Sequence, residues 1–175
     1  MKRLISLIFI LSALQGITQD SIYDYRITSV SGQVIDFNDF RGKLIMIVNT
    51  ASGSERNKQL QQLDTLSQLF LAKGLVVVAF PSNDFSNEEK TNTELQSFAG
   101  NHPSFFVAEK SSVKGQSISP LFRWCTKKMY NGSLDTEVRG DFQKFIINRE
   151  GKIMAIYSGI VSPLDSSIIK MIDVN

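Results

Sequence analysis

The sequence predicts an α/β fold in which a mixed central β-sheet is flanked by helices and preceded by an N-terminal β-hairpin. Two continuous apolar runs, at 44–48 and 75–80, have the composition of central strands that are covered on both faces. Leucines at helical spacing lie between the two runs, and two strand-like segments joined by a short turn follow at 142–157. Parallel strands joined by a helix, together with a closing antiparallel hairpin, make a mixed sheet.

The other elements follow from local signals along the chain. Residues 21–37 alternate in polarity and turn at Ser31-Gly32, which predicts the N-terminal hairpin. The leucine pattern predicts a helix over 60–70 that is closed by Gly74. The remaining predicted elements are a helix over 91–98, a strand at 105–107, a helix over 120–128, hairpin strands at 142–148 and 152–157, and a final helix over 163–171. This order of elements is typical of a thioredoxin-like fold.

The first nineteen residues have the features of a signal peptide. Lys2 and Arg3 precede an apolar stretch of about eleven residues, which is the usual length of a signal h-region and too short to span a bilayer comfortably. We therefore expect residues 1–19 to be removed and residues 20–175 to form a single domain. The protein is then exported, to the periplasm or the extracellular space, with no membrane anchor after cleavage.

Composition and charge exclude several classes of protein. The chain has 175 residues, of which 42% are hydrophobic and 21% charged, and this excludes a disordered or collagen-like protein. Removing Lys2 and Arg3 from the 19 basic residues leaves 17, against 17 acidic residues, so nucleic-acid binding is not expected. The only cysteine, Cys125, cannot form an internal disulfide. The mixed-charge run at 88–90 is predicted to be a solvated turn.

Six stretches of the sequence follow one another in an informative order: SIYDYRITSVSGQVIDFNDFRGK, LIMIVNTAS, FPSNDF, TNTELQSF, PLFRW and DFQKFIINREGKI. In this order they resemble the motifs of the glutathione peroxidase family. This resemblance implies a thioredoxin-like fold and descent from thiol peroxidases that reduce hydroperoxides with glutathione or thioredoxin. The short segment over 128–140 resembles that of non-tetrameric members and implies a monomer.

The resemblance also implies where the reactive residues should lie, and the sequence departs from the family at all of these positions. The reactive cysteine or selenocysteine of the family corresponds to Ser54, and its glutamine partner corresponds to Asp84. The Trp-Asn pair of the family corresponds to Gly140 and Asp141. No second cysteine is present to resolve an oxidised intermediate.

These replacements predict the loss of peroxidase activity. Peroxide reduction needs a thiolate that attacks oxygen and becomes a sulfenic acid, and a serine hydroxyl can do neither. We therefore expect no cofactor and a binding role, with a small ligand or a protein held at the vestigial cleft. Asp84 and Asp141 are expected to repel each other across that cleft, so Asp84→Asn is expected to stabilise the protein.

Two other chemistries remain open at this point. Cys125 could support a relocated or weak oxidoreductase activity, although its position in an apolar helix favours a small buried side chain. Ser54, His102 and Asp84 could form a hydrolase triad, although the sequence around Ser54 lacks the nucleophile-elbow motif.

A cation site is the third alternative. Ser54, Asp84 and Asp141 would offer one hydroxyl and two carboxylates, which are ligands for hard cations. The opposing interpretation is that both carboxylates are solvated or paired with Arg56 or Arg139, because two carboxylates seldom make a tight calcium site.

Overall fold

The computed structural model describes residues 19–99 and 104–175, so all of the predicted signal peptide except Gln19 lies outside the described residues. Short 3-10 helices precede and follow the N-terminal hairpin, at Ile22–Asp24 and Phe37–Phe40. In the described ranges, no helix is long and apolar enough to cross a membrane. The strands are β1 (Arg26–Thr28), β2 (Val34–Asp36), β3 (Leu44–Thr50), β4 (Leu75–Pro81), β5 (Phe105–Val107), β6 (Lys144–Ile147) and β7 (Ile153–Tyr157). The helices are α1 (Gln59–Leu69), α2 (Asn92–Ala99), α3 (Pro120–Thr126), α4 (Lys128–Asn131) and α5 (Ser166–Asp173).

The strands form the predicted mixed sheet and the predicted hairpin. The order of the five-stranded sheet is β5-β4-β3-β6-β7. Strands β3, β4 and β5 are parallel neighbours, whereas β6 is antiparallel to both β3 and β7. Strands β1 and β2 form a separate antiparallel pair. The α/β prediction with a mixed central sheet is therefore confirmed.

The apolar runs of β3 and β4 are continuous because both faces of these strands are buried. Successive side chains of a strand point to opposite faces, so each strand contributes to two core clusters. Ile45 and Ile47 pack in the cluster that holds the N-terminal hairpin and α3. Leu44 and Met46 pack in the cluster on the opposite face, which includes apolar side chains of α1 and α5.

Two helix boundaries differ from the sequence-based predictions. The helix predicted over 120–128 ends at Thr126, because Lys127 has extended dihedral angles and separates α3 from α4. The last helix begins at Ser166 rather than at residue 163, since the Asp165 side chain caps it by accepting a hydrogen bond from the Ser167 N–H at 2.8 Å.

Candidate functional site

Asn49, at the end of β3, holds the turn that precedes β6. Its Nδ2 donates to the Gly140 carbonyl at 3.0 Å, and its Oδ1 accepts from the Gln143 N–H at 3.1 Å. Its carbonyl also accepts from the Phe142 N–H at 2.7 Å. Phe142 has a φ of 62°, a backbone conformation that non-glycine residues seldom adopt. The fully buried Asn49 therefore fixes the turn over 140–143 in a conformation that the turn would not favour alone.

A glycine packs directly against this turn. A Cβ atom at Gly159 would overlap the carbonyl oxygen of Asp141, so no side chain fits at position 159 while the turn keeps its place. Gly140 differs, because a Cβ there would meet no atom within 4 Å. The family's tryptophan position is therefore open space in this chain.

Ser54, at the position of the family's reactive residue, lies in the loop between β3 and α1. Its side chain is buried, with 3% of its surface exposed, and its Oγ accepts a hydrogen bond from the Arg56 N–H at 3.3 Å. The Ser54 N–H donates to the Ala51 carbonyl at 3.2 Å. These contacts make Ser54 part of a tight turn.

Ser52 and Glu88 form a buried polar pair that the sequence analysis missed. The Ser52 hydroxyl donates a very short hydrogen bond to Glu88 Oε1, and the Ser52 N–H donates to Oε2 at 3.1 Å. The same hydroxyl oxygen accepts from the N–H groups of Glu89 and Lys90 at 2.8 and 3.1 Å. The prediction of a solvated turn over 88–90 is therefore wrong for Glu88, whose burial is compensated by these donors.

The carboxylate of Asp84 is bound to the 112–114 segment. Oδ2 accepts hydrogen bonds from the Ser112 hydroxyl at 3.0 Å, the Val113 N–H at 2.5 Å and the Lys114 N–H at 3.2 Å. These three hydrogen bonds hold the Asp84 side chain against the 112–114 segment. The sequence predicts that Asp84→Asn stabilises the protein by relieving repulsion. The structure leads us to expect that this change destabilises it, because the three hydrogen bonds are weakened.

Asp141 lies at a small cleft together with two arginines. Its Oδ1 accepts a long hydrogen bond from the Ser86 N–H at 3.5 Å, and its side chain is buried. Arg56, Arg139 and Gly140 line the same cavity of about 220 Å³, and we call it the Arg56–Asp141 cleft. Arg139 is paired with Glu137, its Nε lying 3.3 Å from Oε1.

These contacts do not support the cation hypothesis. Asp84 and Asp141 are hydrogen-bonded to different segments, and Ser54 is not among the residues that line the cleft. Among the described residues, no group of three or more His, Cys, Asp or Glu side chains could hold a metal ion. His102, which the hydrolase hypothesis requires, lies outside the described residues.

Lys144 in β6 is fully buried behind this region. Its ammonium donates hydrogen bonds of 2.7 Å to three acceptors: Gln59 Oε1 in α1, the Phe142 carbonyl and the Val161 carbonyl. Burial, followed by the nearby charge of Arg56, lowers the pKa of Lys144 to about 7. One side chain thus joins the start of α1, the 140–143 turn and the loop after β7.

Cys125 is fully buried on α3. It packs in the core cluster beside the aromatic side chains of Phe122 and Trp124, and burial raises the pKa of its thiol far above the usual range. A buried thiol with a raised pKa is not a nucleophile at neutral pH.

Comparisons with known proteins agree with the resemblance. The family model described as glutathione peroxidase matches residues 22–126. The chain is 33% identical to the glutathione peroxidase homolog BsaA of Bacillus subtilis, over 87% of this chain and 99% of that protein. It is 32% identical to glutathione peroxidase 1 of Caenorhabditis elegans, over 83% and 91% of the two chains.

The solved structures agree on the fold. The crystal structure of Trgpx in apo form matches with a TM-score of 0.67 and 27% identity, covering 89% of this chain and 97% of that chain. The crystal structure of GPX1 from T. cruzi matches with a TM-score of 0.64 at 22% identity, covering 87% and 93%. The predicted thioredoxin-like fold and the family indicated by the motifs are both confirmed.

We expect Asp84→Asn to lower the free energy of unfolding by about 1–2 kcal/mol at neutral pH. The asparagine has one oxygen in place of two and loses the charge that strengthens the bonds from Ser112, Val113 and Lys114. Urea unfolding of this variant beside Glu109→Gln, a charge-matched change at an exposed position, measures the effect. Equal or greater stability of Asp84→Asn would contradict the role given to this carboxylate.

A second prediction concerns pH and Lys144. Because its folded pKa of about 7 lies below the usual lysine pKa of 10.5, the unfolded chain holds this proton more tightly. The contribution of Lys144 to the free energy of unfolding is therefore lowest below pH 7 and rises by about 2–4 kcal/mol towards pH 10.

The rise is measured by urea unfolding between pH 7 and 10. Lys144→Met should remove it, whereas Lys152→Met, at an exposed lysine, should keep it. The same pH dependence in all three proteins would show that Lys144 does not titrate in this range.

A third prediction concerns the two glycines at the turn. Gly159→Ala should lower the free energy of unfolding by about 2 kcal/mol or more, because the new methyl group displaces the Asp141 carbonyl. Gly140→Ala is the matched control and should change it by less than about 0.5 kcal/mol. Similar melting temperatures for the two variants would mean that the turn moves freely away from position 159.

Proposed function

Because the chain belongs to the glutathione peroxidase family, we propose that it is a member without peroxidase turnover that acts by binding at the Arg56–Asp141 cleft. The observation that carries this proposal is the serine at the reactive position. A hydroxyl at Ser54 cannot supply the thiolate that peroxide reduction oxidises. The relatives named above carry names of glutathione peroxidases, and under this proposal the chain shares their fold but not that activity.

The partners of the reactive residue have also changed their roles. At the position of the family's glutamine, the Asp84 carboxylate accepts hydrogen bonds from the 112–114 segment. At the position of the family's tryptophan, Gly140 leaves open space. Neither residue donates a hydrogen bond from its side chain, so a thiolate at position 54 would lack the donors that activate it.

The cleft has the features of a small binding site. Gly140, beside which there is open space, lines the cleft together with Asp141, Arg56 and Arg139. Because Arg139 is paired with Glu137, Arg56 is the cation left to bind a negatively charged group of a small ligand or of a protein partner. The volume of about 220 Å³ suits a small group rather than a cofactor of the usual size.

The second candidate function is a thiol peroxidase that uses Cys125. The names of the relatives favour this activity, whereas the burial of the thiol opposes it. A peroxide would have to reach a side chain that is closed off by the core, and no second cysteine is present to resolve a sulfenic acid.

We also propose the setting in which this protein acts. The predicted signal peptide over 1–19 would send it to the periplasm or the extracellular space, where it would act as a monomer with no membrane anchor. Its balanced charge after residue 19 favours a small ligand or a protein over nucleic acid.

The test is a peroxide-consumption assay on the wild-type protein. Hydrogen peroxide and cumene hydroperoxide are offered with glutathione or with thioredoxin and its reductase, and consumption should equal that of Ser54→Ala. Native alkylation should leave Cys125 unlabelled, and alkylation after denaturation should label it fully. Turnover that Cys125→Ser abolishes would establish the second candidate, and turnover that survives this change would overturn both.

A further inference from the structure

A second cavity, larger than the Arg56–Asp141 cleft, lies between α3, α4 and the segments 113–118 and 136–138. Its volume of about 570 Å³ is within the range of small-molecule sites. Its lining shares no residue with the cleft. Its lining is mainly apolar and includes Val113, Ile118, Met129, Tyr130 and Val138.

The charges around this cavity are mainly positive. Lys114, Arg123 and Lys127 line it; Arg123 lies in α3, and Lys127 follows the last residue of α3, with its N–H donating to the Arg123 carbonyl at 3.0 Å. Within the described part of the chain, no ion pair involves either of these two residues. The one acidic lining residue, Glu137, is paired with Arg139.

We propose that this cavity binds a small amphipathic organic anion, a carboxylate or sulfonate attached to an aromatic or short acyl body. The apolar lining would bind the body, and the unpaired cations Arg123 and Lys127 would bind the charged group. Neither set of residues belongs to the positions that the family resemblance assigns to the reactive site. The proposal therefore holds whether or not the chain reduces peroxides.

One wall of the cavity is held by Asp84. Its carboxylate accepts from the main chain of Val113 and Lys114, which both line the cavity, and from the Ser112 hydroxyl. The Ser119 N–H also donates to the Ser112 carbonyl at 2.9 Å, which closes this segment onto the start of α3. The residue at the family's glutamine position thus builds a wall of the second cavity.

A second part of the lining lies near Asn131, at the end of α4. Its Nδ2 donates to the carbonyls of Trp124 and Leu134, at 2.8 and 3.0 Å, and its Oδ1 accepts from two N–H groups of the following turn. The Thr136 N–H donates to the Thr126 carbonyl at 2.9 Å. Both parts of the lining are therefore fixed by hydrogen bonds before a ligand enters. Binding then costs little conformational entropy of the protein.

The experiment compares two probes that differ in charge. 1-Anilinonaphthalene-8-sulfonate has the proposed chemistry, and N-phenyl-1-naphthylamine is its neutral counterpart. Fluorescence titration of the wild-type protein should give saturable binding of one sulfonate probe per chain, about three- to tenfold tighter than the neutral probe. Binding of the neutral probe with equal or higher affinity would overturn the assignment of an anion.

Variants locate the binding. The double change Arg123→Gln and Lys127→Gln should weaken the sulfonate about three- to tenfold and leave the neutral probe unchanged. The control is Lys152→Gln with Lys170→Gln, two exposed lysines that do not line the cavity, and it should bind both probes as the wild type does. An equal loss in both double variants would overturn the proposal, since it would reflect net charge alone.

Filling the cavity gives a second, independent readout. Thr136 is half-buried, and Thr136→Phe should place a ring in the cavity and abolish binding of both probes. Met129→Ala, at an exposed position, removes apolar lining and should weaken the binding of both probes. It gives a second test if the phenylalanine variant does not fold. Thermal melts identify the folded variants, and unchanged binding by a folded Thr136→Phe protein or by Met129→Ala would overturn the proposal.

Discussion

Three hydrogen bonds between Asn49 and the turn over 140–143 connect the end of a central strand to the start of a strand from the last third of the chain. Both strands are buried, so an unpaired amide at Asn49 would destabilise the folded protein. The turn supplies the hydrogen-bond partners that this amide needs. This turn carries Gly140 and Asp141, and Gly159, in the loop after β7, packs against its main chain. The geometry of the cleft therefore depends on one amide side chain that does not line it.

The ammonium of Lys144 extends this arrangement to two further segments. It has three hydrogens and meets three acceptors, which lie in α1, in the turn and in the loop after β7. A neutral amine has only two hydrogens and would leave one acceptor unpaired, so the hydrogen bonds favour the charged form that burial disfavours. The walls of the cleft thus share one buried cation as a common partner.

Most of the fold could be predicted from the sequence because its strands are long apolar runs or obvious hairpin arms. The two core strands and the strand at 105–107 were placed within two residues, since burial on both faces leaves a clear pattern. The break at Lys127 and the cap at Asp165 were missed, because both depend on local dihedral angles and one side-chain bond.

The candidate site was less predictable, for a physical reason. Alignment with the family's motifs identified the positions of Ser54, Asp84, Gly140 and Asp141, but not the direction in which each side chain points. Asp84 finds three donors in the 112–114 segment, nearly thirty positions later in the chain, and no local pattern indicates such a contact. The burial of Glu88 has no local signal either, since two of its donors belong to Ser52, 36 positions earlier in the chain.

Cys125 is the only cysteine of the sequence, and it is buried. The folded protein therefore exposes no thiol. A cysteine introduced at any exposed position would then be the one thiol that an alkylating dye or spin label reaches in the folded protein. Single-site spectroscopy on this scaffold therefore needs no prior removal of native cysteines. Trp124, the only tryptophan of the sequence, is also buried in α3 and would serve as a fixed energy donor for distances to that label.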